Sequence, residues 1–206
     1  MKKIKHAKNK GFSLIELMIA MLVTLILMGL VSTLFAGALG SRSRESRRAD
    51  ALTSARAALS AISREIGNSG YGLTMNGIVN ADSGAQKIHF RANLSNEDYT
   101  TDSVGEDITY FFDADTKSIV RYDPNTTPTT SVIVNKISNV TFHYYDYNSD
   151  GIMSTAGSAT PTSNTGRVMI TVMVELEDVV GQPKGQKVTF TSDVTLRNST
   201  YMLNQY

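Results

Sequence analysis

Hydrophobic and polar positions divide the chain into three regimes. From Phe12 to Ser41 the residues are almost continuously apolar, and the only charge is Glu16. Between Glu16 and Arg42 lie 25 residues without a formal charge. At about 1.5 Å per residue, a helix over them is roughly 37 Å long, enough to cross a hydrocarbon core of about 30 Å. The second regime is "RADALTSARAALSAISREIGNSG", where Leu52, Ala55, Leu59, Ile62 and Ile66 recur at steps of three and four. That spacing places one apolar stripe on an otherwise polar helix, suited to packing on a sheet. Gly67, Asn68 and Gly70 supply the stop signal. The two regimes together predict one helix of about 55 residues, lipid- or bundle-facing in its first half and amphipathic in its second.

From about residue 71 the period changes to two. Candidate strands are Lys87–Arg91, Ile108–Phe112, Ile119–Tyr122, Val132–Val134 and Val140–Tyr145. The clearest pair is "RVMITVMVELE" at 167–177 and "KVTFTSDVTL" at 187–196. Val168, Ile170, Val172, Val174 and Leu176 alternate in the first, as do Val188, Phe190, Val194 and Leu196 in the second. Gly181, Pro183 and Gly185 mark the connection. "NGIVNADSGAQ", "DPNTTPTTS" and "STAGSATPTSNTG" read as polar loops. A long helix followed by a mainly antiparallel sheet is an α+β layout.

Charge adds an asymmetry to this picture. Met1–Gly11 holds Lys2, Lys3, Lys5, Lys8 and Lys10 and no acid, so the formal +1 of the chain becomes −4 without them. Lysines on the N-terminal side of the apolar run place that end in the cytoplasm by the positive-inside rule, with everything after about residue 40 outside it. Arg42, Arg44, Arg47 and Arg48 follow the run and are interleaved with Ser and Glu45, which reads as a solvated helix face or a headgroup contact. No broad basic surface follows, so nucleic acid is not an expected partner. With no cysteine, a disulfide scaffold and a thiolate metal site are both excluded.

Glu16 is the anomaly of the apolar run. A charge inside hydrocarbon costs roughly 2.5–3.5 kcal/mol on insertion scales. A cleaved secretory signal with "AGA" at 36–38 fits poorly, because about 24 apolar residues precede it against 7–15 for a signal h-region. A plain single-pass anchor explains the length and leaves Glu16 unexplained. Ser13 and Glu16 have the S-x-x-E spacing of a helix capping box, which accounts for the carboxylate locally.

One further reading uses the charge, the glycine and the lysines together. "KGFSLIE" followed by an uncharged run closely resembles the class III signal of type IV pilins and pseudopilins. The resemblance implies cleavage by a prepilin peptidase between Gly11 and Phe12, N-methylation of the new Phe12 amine, and retention of the apolar helix. It also implies that Glu16 pairs with the N-terminal amine of a neighbouring subunit. An ammonium and a carboxylate, each costly in lipid alone, neutralise one another when brought together in low dielectric. The helix-then-sheet layout is the pilin layout as well. "ISREIGNSGYG" and the closing "VTLRN" look like PilW-type minor pilins and the J-type pseudopilin of type II secretion. The first proline is Pro124, so the kinked helix of major pilins is not expected, which points to a minor subunit.

The expected organisation is a leader at 1–11, a transmembrane and assembly half-helix at 12–41, an amphipathic half at 42–68 and an extracytoplasmic β-rich domain at 69–206. By resemblance, the partners are prepilin peptidase, other major and minor pilins met through the N-terminal helix, and the bacterial inner membrane, with the globular domain periplasmic. The expected function is that of a minor pilin; a type II pseudopilin and a membrane-tethered binding module that never polymerises are the alternatives.

"DYNSDG" at 146–151 offers a separate candidate. Asp146, Asn148 and Asp150 match positions 1, 3 and 5 of a calcium loop, Gly151 supplies a turn, and Ile152 offers its carbonyl. Position 12 is Gly157, where the bidentate Glu belongs, and the loop follows a strand. A Ca2+ site and a polar Asx turn both fit; no other cofactor is expected. No G-x-S-x-G, P-loop or H-E-x-x-H occurs. The acidic pairs Glu106/Asp107 and Glu175/Glu177 read as solvated faces, so catalysis by this chain is not expected.

Overall fold

The computed structural model describes residues 11–95, 100–176, 178 and 184–203. Residues 1–10 of the leader expected at 1–11, with His6, and also Glu177, Gly181 and Pro183, lie outside the described residues. The long helix α1 covers Leu14–Gly67. By internal contacts the chain divides into two compact units, Met1–Ser46 and Arg47–Tyr206.

In the first unit the helix buries none of its apolar stretch. Every residue from Leu14 to Leu39 is exposed. It is the one described helix long and apolar enough to cross a membrane. The hydroxyls of Thr24 and Thr33 donate to the carbonyls of Ala20 (2.7 Å) and Leu30 (2.8 Å). Such a bond within the helix is what lets a polar side chain sit at low cost where water is absent.

In the second unit, α1 ends as the amphipathic spacing requires. Ala55, Ala58, Leu59, Ile62 and Ile66 are buried. They meet two antiparallel sheets. The first runs β1 (Lys87–Arg91), β2 (Asp107–Asp113), β3 (Ser118–Tyr122) and β4 (Thr130–Val134) in sequence order. The second runs β5 (Ile137–Asp146), β6 (Thr165–Glu175) and β7 (Lys187–Thr195). Val168, Ile170, Val172 and Val174 of β6 are fully buried or nearly so, as the alternation in the sequence requires. Ile88, Phe90, Ile108, Tyr110 and Ile119 from the first sheet and Val140, Phe142 and Tyr144 from the second join the helix stripe in one core. A short helix α2 (Thr200–Leu203) follows β7.

The α+β architecture is as expected; its division into two sheets is additional. The switch lies between Val134 and Ile137, where Lys136 adopts φ 61°. A left-handed lysine carries no glycine or proline signal, so periodicity alone cannot see the turn. Where the helix ends, glycine is required. A Cβ at Gly77 (φ 75°) would lie 2.2 Å from the Gly70 nitrogen, so the two chain segments can cross only without side chains.

Buried polar groups fasten the helix end to the first sheet. The Tyr110 hydroxyl donates to Glu65 (2.7 Å), Arg121 Nε donates to the same carboxylate (3.1 Å), and Arg121 Nη1 reaches the buried Asp123 (3.2 Å). Burial, and then the adjacent Glu65 charge, push the Tyr110 phenol far above the usual tyrosine range. Glu106 corrects the reading of a solvated carboxylate, since it is 1% exposed. Its burial raises its proton affinity, but backbone N–H groups of Ser95 (2.7 Å) and Ser103 (3.0 Å) outweigh this and hold the carboxyl below its usual range. Its neighbour Asp107 also departs from that reading, being mostly buried and bound to His89 and Arg91. Glu175 is half-buried, its carboxylate paired with Lys117. Arg48 departs from a purely solvated helix face by donating to Gln186.

Candidate processing and assembly segment

Gly11, Phe12 and Ser13 precede the first helical residue and are exposed. Phe12 is 85% exposed. A Cβ at Gly11 would meet nothing within 4 Å, and its φ lies outside the left-handed region. The fold therefore makes no demand for glycine at this position.

Ser13 occupies the position before the helix. Its carbonyl accepts the N–H groups of Glu16 (3.0 Å) and Leu17 (3.2 Å). The Glu16 carboxylate turns back to accept the Ser13 N–H at 3.4 Å. That long contact is the return half of a capping box, with Glu16 three residues after the cap. A carboxylate in the first turn also faces the positive end of the helix dipole. The single chain thus gives Glu16 a weak local role. A bond of 3.4 Å on an exposed residue is far below what a buried charge requires, and leaves its capacity for a stronger partner.

The apolar side chains that follow, from Leu14 to Leu39, are exposed among the described residues. Leu17, Met21 and Leu25 line one exposed face with Ala20 and Thr24. Cβ atoms at Gly29 and Gly37 would likewise meet nothing within 4 Å. Exposed apolar surface on this scale marks a membrane or an assembly contact.

The loop at 146–152 spends its polar groups internally. Both Asp146 carboxylate oxygens accept hydroxyls, from Thr162 and Thr165, at 2.7 Å each. Asp150 accepts the Ile152 N–H (2.9 Å) in an Asx turn. The Ile152 carbonyl accepts the Asn148 N–H (2.9 Å) and points back into the turn. Among the described residues no group of three or more His, Asp or Glu is placed to hold a metal. Calcium takes 6–8 oxygens, and in this conformation both Asp146 oxygens and the Ile152 carbonyl already accept hydrogen bonds from within the protein.

Sequence reasoning passed over a cluster on β1 and β2. His89 lies between two carboxylates, with Nδ1 2.9 Å from Asp82 and Nε2 against Asp107. Lys87 pairs with Asp82, and Arg91 with Asp107 at 2.9 Å. Strand pairing creates the juxtaposition: Arg91 lies opposite Asp107 and His89 opposite Thr109. The ring nitrogens face opposite ways, so the carboxylates clamp the imidazole and do not converge on a common point. His143 stands apart on β5, its Nδ1 buried with no partner among the described residues.

No curated protein and no solved structure matches the chain significantly. One family model does: residues 6–32 match the prokaryotic N-terminal methylation motif. The matched span contains Gly11, Phe12, Ser13 and Glu16 and the first part of the exposed apolar helix. The motif implies processing by prepilin peptidase and assembly with other pilins, and the apolar helix is consistent with membrane anchoring. The chain carries at its N terminus the prokaryotic N-terminal methylation motif of a type IV pilin- or pseudopilin-like protein.

Proposed function

We propose that the chain is a minor type IV pilin. It is made as a prepilin, cut between Gly11 and Phe12, methylated on the new Phe12 amine, and held in the inner membrane by α1 with its β-rich unit in the periplasm. It then enters a pilus or the complex that primes one. The observation that carries this reading is the methylation motif at the head of a helix whose apolar residues from Leu14 to Leu39 lie exposed. Glu16 would exchange its weak bond to Ser13 for the Phe12 ammonium of a neighbouring subunit. The exchange offsets two desolvation costs at once and sets the axial register of the helices.

The test is intact-mass and N-terminal analysis of the chain recovered from native membranes. An N-methylated Phe12 start is the expected result; an intact Met1 or a start near Leu39 would overturn it and favour a tethered module. "ISREIGNSGYG" and "VTLRN" favour a second reading in the same superfamily, a J-type pseudopilin of type II secretion. Neighbouring genes for a secretion machine, in place of pilus genes, would decide for it.

A further inference from the structure

The second sheet ends on an open strand. β7 pairs with β6 on one side and is the outer strand of its sheet. The pairing is fully regular over nine residues, from Lys187 opposite Glu175 to Thr195 opposite Arg167. Its phase follows from two bonds at the strand ends. Leu176 N–H donates to the Gln186 carbonyl (2.9 Å), and Leu196 N–H donates to the Gly166 carbonyl (2.8 Å). Even-numbered residues of β7 therefore exchange bonds with β6, and odd-numbered ones turn their N–H and C=O outward. Among the described residues, the outward backbone groups of Thr189, Thr191, Asp193 and Thr195 have no partner.

Edge strands are normally blunted by shortness, bulges, proline or cover. β4 is five residues long and its pairing is bulged, β5 is irregular at both ends, and β1 is bridged by Ile78 and Gly84. β7 is nine residues long, in perfect register, and without proline. Its edge opens on a groove of about 940 Å³ that α1 walls on the other side. The two elements run side by side. Arg56 lies over the Phe190 ring at 5.0 Å, Ser63 bonds Ser192 at 2.9 Å, and a methyl on Gly67 would sit 3.7 Å from Val194. Arg56, Arg64 and Arg197 line the groove against the single acid Asp193. Among the described residues neither Arg64 nor Arg197 makes an ion pair.

We infer that β7 accepts an extended acidic segment of a partner protein chain, which adds an eighth strand beside it under α1. Main-chain bonds to the outward groups of Thr189, Thr191 and Asp193 give the pairing, and Arg56 and Arg64 select the charge. These two arginines are eight helical residues apart, about 12 Å along α1. Same-face residues of a strand four apart are separated by roughly 13 Å, so the segment carries two carboxylates at positions i and i+4. In a pilin-like assembly the source is a neighbouring subunit, and to that extent the inference rests on the function proposed above.

The experiment uses the full chain in detergent micelles and a fluorescent peptide, Thr-Glu-Val-Ser-Val-Glu-Thr, followed by anisotropy. The expected result is saturable binding that weakens about tenfold or more in the double variant Arg56→Glu, Arg64→Glu. That variant should instead prefer the peptide with both glutamates changed to lysine. The same peptide N-methylated on its interior amides should not bind. Thr191→Pro, which removes an outward N–H and leaves the β6 ladder intact, should abolish binding without loss of the sheet signal in circular dichroism. Absence of binding would overturn the inference. So would binding indifferent to N-methylation, which would be charge attraction alone. Edge-to-edge dimerisation of the chain that the peptide does not compete with would also overturn it. The Phe12 start is read separately by mass, so failure here leaves the processing result untouched.

Discussion

At the scale of single residues, three positions separate what the fold needs from what lies outside it. Gly11 has open space around its Cα and no left-handed backbone. Gly11→Val is therefore expected to leave helix content and membrane insertion unchanged while intact mass shows the uncut leader; a normally cut chain would show that glycine is not required there. Among the described residues, Glu16 has only its long bond to Ser13. Glu16→Ala is expected to insert normally and to be incorporated poorly, as read by crosslinking to other pilins. Loss of one long capping contact costs only a few tenths to about 1 kcal/mol, too little to explain a large assembly defect by helix fraying. Glu106 is the opposite case, a carboxylate the fold does need. Its folded-state proton affinity is lowered, so its contribution is present above the unfolded value of about 4.3 and is lost as pH falls through the folded value. Glu106→Gln is expected to cost about 1–3 kcal/mol at neutral pH and to flatten the acid limb of a stability–pH curve measured by chemical denaturation.

At the scale of elements, α1 is one helix with two environments. Its apolar residues from Leu14 to Leu39 are exposed, and Ala55, Ala58, Leu59, Ile62 and Ile66 are core. Truncation therefore distinguishes them. Ile62→Ala, in the fully buried stripe, is expected to cost about 2–5 kcal/mol in thermal or denaturant unfolding. Leu25→Ala, at a site 71% exposed, is expected to leave unfolding unchanged. The strand positions were legible because β6 alternates without interruption, and burial follows the same alternation. The sheet division was not legible, because it depends on a left-handed Lys136 with no glycine or proline beside it, and Asn135 alone marks a turn without saying that the chain changes sheet. Glu106 was misread for a related reason. Its partners are backbone N–H groups of Ser95 and Ser103, brought around it by loop closure, and backbone donors leave no mark in side-chain pattern.

At the scale of the whole molecule, the buried core cluster draws entirely on residues from Ala55 to Leu196. The unit Arg47–Tyr206 thus contains its own core, and a chain beginning at Arg47 is expected to melt cooperatively without detergent by circular dichroism. Addition of millimolar calcium is expected to leave that melting temperature unchanged, because each Asp146 carboxylate oxygen already holds a hydroxyl, from Thr162 and Thr165. A rise of several degrees would show that these hydroxyls yield to the ion.

The sequence by itself determined the long apolar run, the methylation motif, the amphipathic stripe and most strand positions. Each of these is written in local order: an uncharged run, a short motif, a period of 3.6 or of two. Tertiary structure alone decided the rest. It set Tyr110 and Arg121 on Glu65, clamped His89 between Asp82 and Asp107, and left β7 as a long open edge beside three arginines. Those features join residues far apart along the chain. Their proximity follows from strand register and helix packing, which no local pattern encodes.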